Sequence, residues 1–292
     1  MILISLLLVL LLEHHMKVSY ILKDRLSAHN WLPLWVETIE PKLHNQNVWF
    51  SLAVVLLLPV AIIYWLTSID GDWLLSILQF GLTILVLIYS LGPMNQNAHL
   101  SAYFKAVKRD DLQAAYIEVQ ENLNQKSCLA PPKDIDDLGR TVTHLILKQC
   151  NFRLFGVLLY FVIFGIAGAL AYNLICSHEF RLREDKASRY RVPMAKMRQI
   201  IDWLPQRLTG LLYALAGDFN GALSQYMKYF FKSPKKSIGI LVDTGMGALG
   251  YSEEDRTEEI LLENEQAMAL VSRSASVFVL MIAILTVFGW LS

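Results

Sequence analysis

The chain has little charge for its length and no excess of either sign. Only 18% of its 292 residues are charged, and 26 basic residues balance 26 acidic ones. Soluble proteins carry about 25% charged residues. A nucleic-acid partner would require a basic excess on one face, so the composition argues against such a partner. Hydrophobic residues make up 54% of the chain and the mean hydropathy is positive. The sequence therefore predicts a multi-pass membrane protein.

Cysteine frameworks and catalytic signatures are also missing from the sequence. Cys128, Cys150 and Cys176 form no Cys-x-x-Cys pair and no Cys/His spacing that would suit a metal. We interpret them as reduced thiols or buried small hydrophobes. The sequence contains no P-loop, Gly-x-Ser-x-Gly or His-Glu-x-x-His motif. We therefore expect no catalytic residues, no metal and no cofactor.

What the sequence does have is long apolar runs. Val48–Leu66 and Trp73–Leu91 are almost uninterrupted and are separated by a short acidic linker. Each is close to the ~20 residues that a helix needs to cross a bilayer. Two further runs, Phe152–Cys176 and Ser276–Leu291, predict a third and a fourth span. Strand-like alternation is absent from the sequence, so the predicted fold is all-α, a polytopic helical membrane protein with about four transmembrane helices.

The whole chain, residues 1–292, is interpreted as a single membrane domain. Its parts are a short apolar helix at 1–12, a transmembrane hairpin at 48–91, a helical cytoplasmic segment at 97–150, a transmembrane helix at 152–176, a polar helical segment at 177–275 with an interfacial part at 194–217, and a C-terminal transmembrane helix at 276–291. The first segment is either a half-span or a helix packed against the others. The sequence leaves both alternatives open.

Basic residues predict the orientation of the first hairpin. Its linker carries Asp70 and Asp72 and no base, whereas both flanks carry Lys and Arg. The positive-inside rule therefore places the linker in the periplasm and both flanks in the cytoplasm. A single crossing at 152–176 would place the basic stretch Arg181–Arg198 outside. Either the rule does not hold for this long segment, or the apolar stretch Leu208–Ala216 helps to bring the chain back.

The segment Met194–Gly217 has the most unusual chemistry. An amphipathic helix runs into Pro205, which we expect to halt it. Arg207 follows at the mouth of an apolar stretch, where an unpaired charge is expensive. We expect this arginine either to have a partner or a ligand, or to extend to the lipid headgroups.

A glycine-rich stretch, Gly245–Gly250, fits the Gly-x-Gly-x-x-Gly pattern of dinucleotide-binding proteins. That pattern binds a dinucleotide only where it opens a crossover helix inside a βαβ unit. An acidic run and no second strand follow it here. The sequence therefore predicts a flexible, glycine-rich turn.

Several motifs together resemble one known family. They are Asp-Trp-Leu-Pro-Gln-Arg-Leu-Thr at Asp202–Thr209, Leu-Gly-Pro at Leu91–Pro93, an early leucine-rich run that ends in Glu13, and the terminal helix Ala267–Trp290. Over essentially the whole chain the sequence resembles AmpE, an inner-membrane protein family associated with β-lactamase induction. AmpE is in turn similar to CobD, also called CbiB, a membrane-bound adenosylcobinamide-phosphate synthase of cobalamin biosynthesis. The resemblance implies a bacterial inner-membrane regulatory protein, with the synthase as the alternative.

Two differences from the enzyme favour the regulatory interpretation. The enzyme has an Asn-Thr-Leu-Asp-Ser segment where this chain has Asn173-Leu174-Ile175-Cys176-Ser177. A mostly protonated thiol cannot replace a carboxylate that binds a metal or activates an amine. The early His-Pro pair expected of the enzyme is also missing, because His29 is followed by Asn30. The resemblance therefore implies a non-catalytic protein.

The motifs suggest a ligand hypothesis. Arg207 and Asn173 would hold a small polar or anionic ligand at the membrane face, and Asp202 and Glu13 would orient or pair with the guanidinium. The expected partners are the lipid bilayer, this ligand and a soluble or membrane protein. A third interpretation is a membrane anchor whose helical hairpin, Asn97–Gln125, recruits a soluble partner.

Overall fold

The computed structural model describes residues 5–9, 28–39, 43, 46–69, 72–91, 96–122, 131–185, 188–230, 239–250 and 260–289. Within these ranges the chain is helical apart from turns and short connections, and no strand occurs there. The predicted all-α class is confirmed. The helices are α1 (Ala28–Ile39), α2 (Val48–Thr67), α3 (Trp73–Leu91), α4 (Gln96–Val107), α5 (Leu112–Asn122), α6 (Ile135–Cys150), α7 (Gly156–Glu184), α8 (Arg191–Ile201), α9 (Trp203–Ala216), α10 (Phe219–Phe230), α11 (Gly239–Leu249) and α12 (Ile260–Val287), with a π-helical turn at Asn151–Phe155 between α6 and α7.

By length and composition, 4 helical stretches among the described residues can cross a membrane. They are Val48–Thr67, Trp73–Leu91, Ile135–Arg183 and Ile260–Val287. This agrees with the predicted number. The last helix begins well before the predicted start at Ser276, because the more polar residues that precede the apolar run continue the same helix.

The chain forms two compact units, each built from separate segments. The first unit comprises Met1–Met94, Phe152–Pro205 and Ile282–Ser292, and the second comprises Asn95–Asn151 and Gln206–Met281. The first unit therefore contains the predicted hairpin and the third apolar run. The second contains the predicted cytoplasmic segment and most of the chain from Arg207 onward.

In the first unit, α2 and α3 form the predicted hairpin. The Asn47 side chain caps α2 by accepting a hydrogen bond from the Trp49 amide at 3.1 Å. The Gln79 amide holds the far end of α2 by donating to the Ile69 carbonyl at 2.8 Å. In the most apolar part of each helix, only 22% of α2 and 28% of α3 is buried within the protein. Such poorly covered apolar helices suit a lipid environment, where their own backbone hydrogen bonds satisfy every peptide group.

The third apolar run has an unexpected path. A helix capped by Asp134 leads directly into it, and the Asp134 side chain accepts from the Asp137 amide at 2.7 Å. Inside α7, however, Gly165 has φ 65° and ψ −156°, a conformation that is readily accessible only to glycine. The rings of Tyr160 and Tyr172 lie 5.1 Å apart. In a straight helix, residues at this spacing would be separated by about 18 Å. The helix therefore folds back on itself at Gly165.

The expected single crossing at 152–176 is corrected accordingly. The arm 156–164 packs against the arm 166–184, and glycines permit the contact: a side chain at Gly156 would collide with Tyr172, and one at Gly168 with the Tyr160 backbone. The short arm is about 14 Å long at 1.5 Å per residue, roughly half the thickness of a bilayer core. Hydropathy along the chain does not distinguish this hairpin from a straight span.

The second unit contains the predicted helical hairpin of α4 and α5. The Asp111 side chain caps α5 by accepting from the Ala114 amide at 2.9 Å. A buried polar network then ties α4 and α6 to α12. Tyr103 donates to the Asn264 side chain at 2.9 Å, and the Asn264 amide donates to the Thr143 hydroxyl at 2.7 Å.

The glycine-rich stretch is helical, and the prediction of a flexible turn there is wrong. Gly239–Leu249 forms α11, which packs against α10 so closely that the backbones of Gly221 and Gly247 touch. The Asp218 side chain caps α10 by accepting from the Gly221 amide at 3.2 Å. The glycines serve close helix packing rather than a phosphate-binding turn.

Candidate functional site

The break between α8 and α9 creates the site. Pro205 was expected to halt the amphipathic helix, but α8 already ends at Ile201 and α9 begins at Trp203. The correction has a simple reason. Pro205 lies in the first turn of α9, where a missing backbone N–H costs nothing. The single turn residue between the two helices is Asp202.

Asp202 forms a buried ion pair with Arg198, one helical turn earlier. The Nε of Arg198 donates to Oδ2 of Asp202. The two residues are only 7% and 3% exposed. The other carboxylate oxygen, Oδ1, accepts a hydrogen bond from the Tyr172 hydroxyl at 2.8 Å. Both oxygens of the carboxylate are therefore engaged by the protein.

Aromatic rings hold the Arg198 guanidinium in place. Its central carbon lies 4.2 Å from the centre of the Phe152 ring and 5.8 Å from that of Tyr172. Such cation–π contacts are strong where water is excluded. Tyr160 stacks on Tyr172 and donates its hydroxyl to the Ile201 carbonyl at 2.9 Å. Both arms of the α7 hairpin thus fix the end of α8.

Electrostatics keeps the guanidinium charged. Burial lowers the pKa of Arg198, but Cys176, Asp202 and Tyr172 together outweigh that effect and raise the pKa above its ordinary value. Burial also raises the pKa of Asp202, and the Arg198 guanidinium acts against this rise. Two turns of α7 carry Tyr172, Cys176 and Glu179 on one face, since these residues recur at helical spacing.

The residues predicted for a ligand site fall in different places. Asp202 lies in the buried cluster, and its partner is Arg198. Asn173 is half-buried beside Tyr172, and its side-chain oxygen accepts from the Ser177 hydroxyl at 3.4 Å. Glu13 lies outside the described residues. Arg207 belongs to the second unit, and Asp202 and Asn173 belong to the first.

Arg207 is paired within the protein, which is one of the alternatives expected for a charge at the mouth of an apolar stretch. It is 6% exposed, and its Nη2 donates to the carbonyls of Phe230 at 3.0 Å and Tyr229 at 3.3 Å. These carbonyls close the C-terminal end of α10, where helices leave acceptors unsatisfied and attract cations. Arg207 therefore links α9 to the end of α10.

Sequence reasoning named Asp202 but missed the residues around it. Arg198, Phe152 and Tyr172 were not singled out. The spacing of Arg198 and Asp202 on one helix face was the available signal, because charges four residues apart pair on a helix. Within the part of the chain that the structure describes, no group of three His, Cys, Asp or Glu side chains is placed to hold a metal ion.

Comparison with known proteins identifies the family. The model of the family described as regulatory signalling modulator protein AmpE matches residues 1–292. The chain belongs to the AmpE family. This membership confirms the resemblance carried by the motif around Arg207 and extends it to every segment of the chain.

Curated relatives of this AmpE family member carry the name CobD. The cobalamin biosynthesis protein CobD of Stutzerimonas stutzeri is 26% identical over 212 residues, which cover 71% of this chain and 65% of the relative. The probable cobalamin biosynthesis protein CobD of Methanococcus vannielii is 23% identical over 167 residues, 53% of this chain and 51% of the relative. The chain thus spans between half and two thirds of the length of these relatives. No solved structure gives a significant match.

Proposed function

We propose that this AmpE family member is a non-catalytic regulatory protein of the bacterial inner membrane, acting in the signalling that connects the state of the cell wall to β-lactamase induction. The family description supports a regulatory role. The four apolar helical stretches support a membrane location.

The buried ion pair of Arg198 and Asp202 is the observation that carries the non-catalytic interpretation. A metal-assisted or acid–base reaction needs carboxylates that are free to bind a metal or take a proton. Here both oxygens of Asp202 are occupied, one by Arg198 and one by Tyr172. Cys176 on α7 stands at the position where the corresponding segment of the enzyme family has an aspartate. The positive charge of Arg198 in this cluster disfavours a metal ion.

The regulatory role includes a ligand and a protein partner. The proposed ligand is a small polar or anionic molecule bound in the first unit, near Asp202 at the end of α8 and Asn173 beside Tyr172. The helical hairpin of α4 and α5 is the proposed contact for a soluble partner.

Gene deletion and complementation test the proposed function. In a strain with an inducible β-lactamase, we expect deletion of the gene to change the enzyme activity measured after exposure to inducer, and the wild-type gene to restore it. Asp202→Asn should fail to restore it, because the ion pair is lost. Arg183→Lys, which alters only a partly exposed pair with Glu179, is the matched control. Unchanged induction in the deletion strain would contradict the proposal.

The second candidate function is that of an adenosylcobinamide-phosphate synthase. The relatives named CobD favour it. The test is growth of a cobinamide-phosphate-synthase mutant under conditions that require cobalamin synthesis. The regulatory proposal predicts no growth when the mutant carries this gene, whereas growth would establish the enzymatic function in its place.

A further inference from the structure

One donor of the buried cluster has no acceptor. Arg198 is 7% exposed, and its Nη2 atom is buried without a hydrogen-bond partner. The Nε atom of the same guanidinium is engaged by Asp202. Buried donors are almost always paired, so an unpaired one calls for an explanation.

The guanidinium cannot turn to find an acceptor elsewhere. Asp202 holds one edge, and the rings of Phe152 and Tyr172 cover its faces. Cys176 follows Tyr172 by one helical turn on the same face of α7, next to the ring that contacts the guanidinium. A thiol is only a weak acceptor of hydrogen bonds. The free edge of Arg198 is therefore fixed in direction and lacks a good partner.

The Cys176 thiol is the reactive group through which access to this face of α7 can be measured. Among the cysteines that the structure describes, Cys150 is buried and Cys176 is partly exposed. Glu179, the next residue on this face, is tied to Arg183 by two hydrogen bonds of 2.8 and 2.9 Å. Its charge is thereby offset, as the charge of Asp202 is offset by Arg198. The unpaired Nη2 donor of Arg198 therefore determines which ligands the cluster favours, namely those that offer a hydrogen-bond acceptor.

We propose that the Arg198 cluster binds an anionic oxygen, the carboxylate or phosphate group of a small ligand, which accepts a hydrogen bond from Nη2 beside Cys176. Guanidinium groups fixed in this way favour such oxygens because the hydrogen bond is charge-assisted. The inference rests on the proposed regulatory function and names the chemical class of its ligand. It locates binding at Arg198, a residue that the sequence motifs did not suggest.

Alkylation of Cys176 tests this proposal. Full-length protein in detergent is treated with N-ethylmaleimide, and modification of each cysteine is followed by mass spectrometry. Sodium phosphate and sodium acetate are varied while sodium chloride keeps the ionic strength constant. We expect either anion to slow modification of Cys176 in a saturable way. An equal rate with and without anions would overturn the proposal, and so would a Cys176 that never reacts, because no solute would then reach the guanidinium.

Variants at Cys176 provide the second measurement. Cys176→Asp supplies an acceptor from within the protein, so we expect its melting temperature to rise and to lose any dependence on phosphate or acetate. Cys176→Ser is the matched control of similar size and should keep the anion dependence of the wild type. If Cys176→Asp responds to the anions as Cys176→Ser does, the acceptor position lies elsewhere and the proposal is wrong.

A third arm separates the source of the oxygen. Phosphatidylglycerol in the detergent micelles replaces the soluble anions, and protection by this lipid alone identifies a headgroup as the ligand. Protection by phosphate or acetate identifies a soluble ligand. Failure of the gene-deletion test leaves this binding measurement unaffected, so a failed function and a failed site give different results.

Discussion

The first unit contains two apolar hairpins that are held together in different ways. The hairpin of α2 and α3 consists of two full-length helices joined by an acidic linker, and its apolar side chains are mostly uncovered. The α7 hairpin is one continuous helical stretch that reverses at Gly165. Hydroxyls of Tyr160 and Tyr172 and the charge of Arg198 fasten it to the end of α8. An apolar run of sufficient length therefore does not by itself show how often a chain crosses the membrane.

The reversal also decides where the following basic stretch lies. Arg189, just after α7, donates to the Leu43 carbonyl at 3.2 Å, close to the start of α2. The acidic linker is at the other end of α2. We therefore expect the stretch Arg181–Arg198 to lie on the same membrane side as Leu43, in agreement with the positive-inside rule.

The largest expected effect is on the accessibility of introduced cysteines. In a variant without native cysteines, Ser68→Cys should react in intact cells with a maleimide that cannot cross the membrane. Asn47→Cys and Asp185→Cys should react only after the membrane is permeabilised. The physical reason is that Asp185 directly follows α7 and that Arg189, four residues later, contacts Leu43 just before the start of α2. Labelling of Asp185→Cys together with Ser68→Cys in intact cells would contradict the reversal.

The next largest effect is a loss of stability when the Asp202 carboxylate, which holds the α7 hairpin to the end of α8, is removed. Asp202→Ala leaves the Arg198 guanidinium buried and unpaired, which should lower the free energy of unfolding by about 3–5 kcal/mol. Unfolding in detergent, followed by circular dichroism, measures this loss. Lys228→Ala removes an exposed hydrogen bond to Gln225 and should cost less than about 0.5 kcal/mol. Similar losses in the two variants would show that the buried pair is not special.

Glycine substitutions compare the two hairpins directly. Gly165→Ala places a side chain where the backbone has φ 65° and should cost about 1–3 kcal/mol. Gly81→Ala, in α3, meets no atom within 4 Å and should stabilise the helix by about 0.5–1 kcal/mol. Melting temperatures of the two variants should therefore shift in opposite directions. A neutral Gly165→Ala would mean that the reversal does not depend on the glycine.

The smallest effect concerns a single hydroxyl. Tyr160→Phe removes the hydrogen bond to the Ile201 carbonyl and should cost about 0.5–1.5 kcal/mol. Tyr64→Phe, on the exposed surface of α2, is the control and should change stability by less than about 0.5 kcal/mol. Thermal unfolding of both variants in the same detergent measures the difference. Equal stabilities would show that this hydroxyl does not fasten α8 to the hairpin.

The spans were accessible to sequence reasoning because they depend on local chemistry. The spans predicted at Val48–Leu66 and Trp73–Leu91 follow from the length and composition of the apolar runs and agree with α2 and α3. The site was only partly accessible. Asp202 was named from a motif, whereas its contact with Tyr172 joins residues of different helices. The predicted turn at Gly245–Gly250 failed because close packing against α10 favoured a helix.

The sequence alone determined that this protein is all-helical and built for a membrane, because run length and composition set the cost of exposing peptide groups to lipid. It also determined the family, through motifs that are contiguous in the chain. The tertiary structure decided that the third run turns back at Gly165 and that the rings of Phe152 and Tyr172 lie against the Arg198 guanidinium. Those outcomes depend on one backbone angle and on contacts between distant residues, which no local pattern encodes.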